Sequence, residues 1–180
     1  ASVVYAQGQY WIASGGRLLG VKIDSSGDAS VRAASLGAAA TSCESDAAGN
    51  IWVSTDGNGI AKFDGNRPRW ITERNGLARM RVRQVFRDYE GSLWFATMGG
   101  GAQKLLSESV VSYRTSDGLL QNEVTTVFED SRKRVWVGTC RGISLIENNR
   151  IRNDFPFQKL MDEVRAFAED KNGNLYIGTF

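Results

Sequence analysis

Histidine is missing from all 180 residues. With it goes the side chain most often used as a general base and as a neutral metal ligand, so nucleophile schemes that pair serine or cysteine with histidine are excluded. Cysteine occurs twice, at Cys43 and Cys140. Two thiols in unlike settings make neither a disulfide framework nor a thiolate metal site, and a single bridge between them stays open. No apolar run approaches the ~18 residues of a membrane-crossing helix. The opening Ala1-Ser2-Val3-Val4-Tyr5 lacks the basic start and apolar stretch of a signal peptide, so any such segment is expected to have been removed or to lie elsewhere. An excess of one charge is also lacking: 22 Lys and Arg against 20 Asp and Glu leave +2, too little to argue for nucleic acid or an anionic membrane surface. Two prolines stand against twenty glycines, five Trp, five Tyr and eight Phe, a balance that fits short aromatic-rich strands joined by tight turns. With 42% hydrophobic and 23% charged residues there is material for a core, in one ordinary domain or a piece of a larger one.

The tryptophans carry a period. Trp11, Trp52, Trp94 and Trp136 are spaced by 41, 42 and 42 residues, and Tyr176 follows 40 later in the same kind of strand. Six residues before the aromatic stand Asp46, Asp88, Asp130 and Asp170; three before it stand Gly8, Gly49, Gly91 and Gly173, with Lys133 as the exception. Asp-x-x-Gly is a turn in which the carboxylate accepts local backbone amides and the glycine lets the chain leave. Twelve and nine residues before the aromatic, Val82, Val124 and Val164 and then Val85, Val127 and Phe167 mark a preceding strand. Downstream, glycine turns lead into a third strand and polar hairpins (Ser25 to Asp28, Asp64-Gly65-Asn66, Ser107-Glu108, Glu147 to Asn149) into a fourth. A four-stranded antiparallel meander of about 42 residues has the period of a β-propeller blade. The fold class expected is therefore all-β, with blades near 2–37, 38–74, 79–116 and 121–155 and a partial blade at 163–180. A propeller ring usually has ~4–8 blades, so these units read as an arc of a larger propeller whose open flanks meet remaining blades or another copy.

Asp-x-x-Gly-x-Leu-Trp-x-x-Thr with a glycine turn after it, and Gly-Leu and a Val-x-x-Val strand before it, resembles the two-component regulator propeller repeat. The stretches that carry the resemblance are Asn75-Gly76-Leu77 through Val82 to Asp88 and Leu93-Trp94-Phe95-Ala96-Thr97, and Asp117-Gly118-Leu119 through Val124 to Trp136-Val137-Gly138-Thr139. In both, Gly-Leu begins 18 residues before the Trp. The resemblance implies a bacterial sensor: family propellers form extracytoplasmic input domains of histidine kinases, hybrid two-component receptors and GGDEF-type diguanylate cyclases. It implies a periplasmic or extracellular location on a membrane-anchored receptor, a small-molecule or oligosaccharide ligand, and a membrane reached only through segments outside these residues. A repeat motif is scaffold, so it does not carry the ligand's identity.

The recurring tryptophans and turn aspartates read as structural. Asp170-Lys171-Asn172-Gly173-Asn174 lacks the glycine at the sixth and the glutamate at the twelfth place of a calcium loop, and no metal or cofactor is assigned. In a meander, the loops entering the first strand and those joining the second and third share one face, opposite the Asp-x-x-Gly turns. Residues there that break the repeat are the binding candidates: Arg79, Arg81 and Arg83; Gln121 and Asn122; Asp56 and Asn58; and Arg141, with Met80, Lys159 and Asp162 beside them. The three arginines form either a positive rim for a carboxylate or sulfate or a solvated loop paired with neighbouring carboxylates. Phe155 and Phe157 around Pro156 offer a stacking platform for sugar or an apolar plug between blades. Three functions follow: a non-catalytic sensory propeller, a protein-interaction or assembly platform, and a propeller lyase, the last disfavoured by the absence of histidine and of a clustered acid–base pair.

Overall fold

A computed structural model of the chain describes residues 1–64, 67–106, 109–156 and 162–180. The Gly65-Asn66 and Ser107-Glu108 turns, Phe157 and Lys159 fall outside the described residues. Strands dominate. β1 (Ser2–Ala6), β2 (Gln9–Ser14), β3 (Arg17–Ile23) and β4 (Ala29–Ser35) form one antiparallel sheet in chain order. The same order recurs in β5 (Ala40–Ser45), β6 (Ile51–Thr55), β7 (Ile60–Phe63) and β8 (Pro68–Ile71), and in β9 (Val82–Arg87), β10 (Leu93–Thr97), β11 (Gly101–Leu106) and β12 (Ser109–Tyr113). It recurs again in β13 (Val124–Glu129), β14 (Val135–Thr139), β15 (Gly142–Glu147) and β16 (Arg150–Arg152), and β17 (Val164–Glu169) pairs with β18 (Leu175–Thr179). The architecture is an all-β propeller arc. First strands of successive sheets adjoin one another, β1 with β5, β5 with β9, β9 with β13 and β13 with β17, so they line the axis.

The core lies between sheets, and the repeated indole makes it. Trp11 packs on Cys43, Ile51 and Val53 of the second sheet, and Trp52 on Val82, Val85, Leu93 and Phe95 of the third. Trp94 packs on Val124, Val127, Val135 and Val137 of the fourth, and Trp136 on Val164, Phe167 and Ile177 of the last pair. At ~150–250 Å² per ring and ~25 cal/mol per Å², each contributes roughly 4–6 kcal/mol of burial. Tyr176 holds the same repeat position but is 59% exposed, because no further sheet covers it.

The turn aspartates do more than cap a turn. In Asp46, Asp88 and Asp130 one carboxylate oxygen accepts turn amides. The other accepts the indole N–H of Trp52, Trp94 and Trp136 at 2.9, 2.9 and 2.8 Å. A cation lies over each ring, from Lys62, Lys104 and Arg134. Burial pushes the Asp46 and Asp130 carboxyls up, but these hydrogen bonds outweigh it and hold both below the ordinary carboxylate value. The first sheet differs. Its hairpin has only Gln7 and Gly8, both at positive φ, which suits a two-residue connection and leaves no room for the aspartate. Trp11 Nε1 is accordingly buried without a partner among the described residues.

Two other motif residues acquire physical roles. Gly76 and Gly118, at φ +90° and +103°, end short 3₁₀ turns, and the leucines that follow, Leu77 and Leu119, drop into the inter-sheet cores. Leu36 fills that place in the first sheet without a Gly-Leu pair. Thr55, Thr97 and Thr139 are fully buried, and each donates its hydroxyl to the carbonyl that opens the next strand, those of Gly59, Gly101 and Gly142. Phe155 packs against Trp136 at a tilt, with centroids 5.5 Å apart, as an apolar plug does. Both cysteines are free: Cys43 is buried between the first two sheets, while Cys140 lies beside Glu123 at the end of β14. The bridge left open by the sequence is therefore not formed.

Candidate functional site

Each first strand after the first sheet carries a β-bulge. The ladder skips a residue between Ala40 and Ser42, between Val82 and Gln84, between Val124 and Thr126, and between Val164 and Ala166. A bulge leaves one residue unpaired and re-aims its side chain. The residues so released are Thr41, Arg83, Thr125 and Arg165, all eleven positions before the repeat aromatic, and all four line one cavity of about 320 Å³ on the axis.

The same bulge frees a backbone amide, which the preceding sheet takes up. Ser2 Oγ accepts Cys43 N–H, Ser42 Oγ accepts Val85 N–H at 2.7 Å, and Gln84 Oε1 accepts Val127 N–H at 2.7 Å. Thr41 and Thr125 donate their hydroxyls to the Val82 and Val164 carbonyls of the following sheet. The two threonines thus serve as inter-sheet ties. Arginine at the equivalent position makes no such tie: Arg83 Nη1 lies 3.9 Å from Asp56 Oδ2 and Arg165 Nη2 donates to Glu163 Oε2 at 2.9 Å.

Around the mouth, the loop joining β6 and β7 meets the loop entering β9. Asp56 and Arg81 form an isolated bridge, Met98 and Glu123 another one sheet further on, and Gly59 N–H donates to the Met80 carbonyl. Arg81 Nε donates to Asp56 Oδ1 at 2.7 Å. That hydrogen bond, reinforced by the charges of Arg81 and Arg83, holds the Asp56 carboxyl below its ordinary value. Arg81 is thereby occupied, and Asp56 with it.

The remaining candidates separate into scaffold and surface. Asn58 Nδ2 donates to the Leu36 carbonyl, and Asn122 brackets Thr115 with both ends of its amide, so both fix loop shape. Arg79 turns away, 4.0 Å from Glu73. Gln121 is half-buried in the loop entering β13, whereas Arg141 and Asp162 are exposed. Of the eight candidates, only Arg83 stands in the axis cavity. Arg165 was missed by the sequence reading. Its signal was available, since it occupies the same repeat position as Arg83, but nothing in a linear pattern marks that position as a bulge.

Cys140 Sγ donates to Glu123 Oε2 at 3.3 Å. Burial first, then that carboxylate, push its thiol up, which disfavours a nucleophilic thiolate.

Residues 118–141 and 161–180 match the two-component regulator propeller. Those two stretches carry the two-component regulator propeller repeat. No curated protein sequence matches the chain at a significant level. Among solved structures, it is similar to the extracellular domain of the hybrid two-component system BT4673 from B. thetaiotaomicron, at 20% identity and TM-score 0.74, over 99% of this chain and 28% of that one. For the corresponding domain of BT3049 from the same organism the values are 19% and 0.64, over 98% and 31%. Virginiamycin B lyase from Staphylococcus aureus shares 13% identity at TM-score 0.72, over 98% and 61%. Identities this low show a shared fold. The chain spans less than a third of the two-component relatives it matches. Among its described residues, no helix is long and apolar enough to cross a membrane.

Proposed function

We propose that these propeller repeats form part of the ligand-sensing input domain of a bacterial signal-transduction receptor, on the periplasmic or extracellular side of its membrane, and that they bind without turning the ligand over. The observation that carries this reading is the exchange of threonine for arginine at the axis bulge. Where Thr41 and Thr125 tie sheets together, Arg83 and Arg165 place charge in a cavity that the scaffold does not require to be charged. The repeats and the likeness to extracellular domains of two-component systems support the receptor setting. A catalytically inactive form of the staphylococcal lyase differs from the active enzyme at one histidine, and histidine is a residue type this chain lacks.

The test is a panel of neutral and acidic mono- and oligosaccharides titrated into the protein by calorimetry, with chromatography of each mixture afterwards. Saturable binding, no new product, and an altered output of the intact receptor are expected. Conversion of a bound compound, abolished by changing one polar cavity residue, replaces the sensor by an enzyme. A receptor output indifferent to every bound compound leaves the interaction platform instead.

A further inference from the structure

We infer that the axis cavity takes a small organic acid built on a ring, with its anionic group at Arg83 and Arg165 and its ring face against Phe86, Phe128 and Phe167. The inference rests on the ligand-sensing reading above and gives that site its ligand class. Two guanidinium groups and no carboxylate line the cavity, so the positive charge faces it while the paired carboxylates, Asp56 and Glu163, stand outside the lining. The carboxylate nearest Arg83, that of Asp56, is 3.9 Å away and already accepts Arg81 at 2.7 Å. Arg165 uses one Nη on Glu163 and lays its guanidinium over Phe180 at 4.9 Å. With five N–H donors on each fork, both keep donors for a carboxylate or sulfate, the planar and tetrahedral anions that arginine binds through paired hydrogen bonds.

Below the arginines the wall changes character. Phe86, Phe128 and Phe167 come from three successive first strands and stand in a ladder with centroids 6.4 and 6.2 Å apart. All three rings are half-buried and line the same cavity as the arginines. Phe128 and Phe167 stack while Phe86 is tilted against Phe128, and together the three give the cavity its apolar part. A bare inorganic ion leaves that part wet, whereas a ligand with a sugar or aromatic ring covers it. Polar and charged groups on one part of the wall and rings on another suit a ligand with both an anionic and an apolar part, and about 320 Å³ lies at the lower end of small-molecule site sizes.

The experiment is isothermal titration of the protein with glucuronate, glucose 6-sulfate, benzoate, glucose and inorganic sulfate. Glucuronate and glucose 6-sulfate separate carboxylate from sulfate; benzoate separates an aromatic from a sugar ring. At least one ring acid is expected to bind about tenfold or more tightly than both glucose and inorganic sulfate. Its affinity is expected to fall about tenfold in Arg83→Gln and in Arg165→Gln, and to weaken in Phe128→Ala, with thermal midpoints of the arginine variants unchanged. Glucose bound as tightly as the acids, with no effect of either arginine substitution, overturns the acid class while ligand sensing stands. Inorganic sulfate bound as tightly as the ring acids overturns the role of the ladder. Heat from none of the ring acids, with the protein folded by circular dichroism, overturns the proposal.

Discussion

At the residue scale, a carboxylate six positions ahead of an indole serves two masters at once, and the first sheet shows what happens without it. Trp94 Nε1 donates to Asp88 Oδ2, which also meets Lys104 Nζ at 3.1 Å. Trp11 Nε1 has no partner among the described residues, and its ring is held by packing and by the Arg32 guanidinium 4.6 Å above it. Replacing either tryptophan by phenylalanine removes the same volume, so the difference between the two variants isolates the hydrogen bond. Trp94→Phe deprives a carboxylate whose side chain is 2% exposed of one donor, and an under-satisfied buried group costs about 1–3 kcal/mol. Trp11→Phe removes a donor that had no acceptor. Urea denaturation of the two variants is expected to place Trp94→Phe lower by about 1–3 kcal/mol; equal losses refute the role assigned to the aspartate.

At the scale of the element, the strands and their order are legible from spacing alone, while the devices that join one sheet to the next are not. Forty-odd residues between Trp52, Trp94 and Trp136 disclose the unit because burial of a large ring at each interface needs that residue every time. Asp-x-x-Gly discloses a turn because local backbone geometry needs it. The bulge at Arg83 and Arg165 leaves no such mark: its consequence is a lost ladder position, and the residue there is threonine in two sheets and arginine in two. The three arginines of the loop entering β9 looked alike in sequence, yet one pairs with Glu73, one with Asp56, and only one reaches the axis. A second hidden device sits on the opposite face. Glu129, ending β13, accepts the Tyr89 N–H of the preceding sheet's turn, and Glu169, ending β17, accepts both Ser131 N–H and its hydroxyl. Burial pushes the Glu129 carboxyl up, the charges of Asp88 and Glu90 push it further, and the Tyr89 amide only partly offsets them. A carboxyl raised in the folded state binds more protons folded than unfolded across that window. Stability is therefore lost as pH rises from the ordinary glutamate value of about 4.5 through the folded one. Glu129→Gln keeps an acceptor for Tyr89 and removes the charge. It is expected to raise the thermal midpoint by about 1–3 °C at pH 7 and to give no gain near pH 4. A midpoint that falls at pH 7 shows that the charge, not the acceptor, holds the latch.

For the whole molecule, the internal interfaces define what the two outer faces are built to meet. Each interface sets an aromatic of one sheet against a first-strand residue and second-strand flanks of the next, as Trp52 against Val85, Leu93 and Phe95. In the first sheet, register puts Val3 opposite Ile12 and Tyr5 opposite Tyr10, the places that Val85, Phe95, Arg87 and Leu93 hold in the third. There Val85 and Leu93 are each 3% exposed, whereas Val3 and Tyr10 are 58% and 45% exposed, with Val31 beside them at 62%. The first sheet thus presents a receiving face with nothing on it, and Tyr176 of the last pair presents an aromatic with nothing under it. The two are complementary rather than identical, so a contact between them would be head to tail. Further blades would occupy both in a longer polypeptide; in a solution of these 180 residues alone, a second copy is the available occupant. Sedimentation velocity between about 1 and 200 µM is expected to show mass growing with concentration. Val3→Lys combined with Val31→Lys touches no described internal core and is expected to hold the protein monomeric at an unchanged thermal midpoint, because a lysine on the receiving face cannot be buried under an aromatic ring without losing its hydration. A wild-type protein that stays monomeric throughout, or a lysine variant that associates as before, means that these faces do not receive one another.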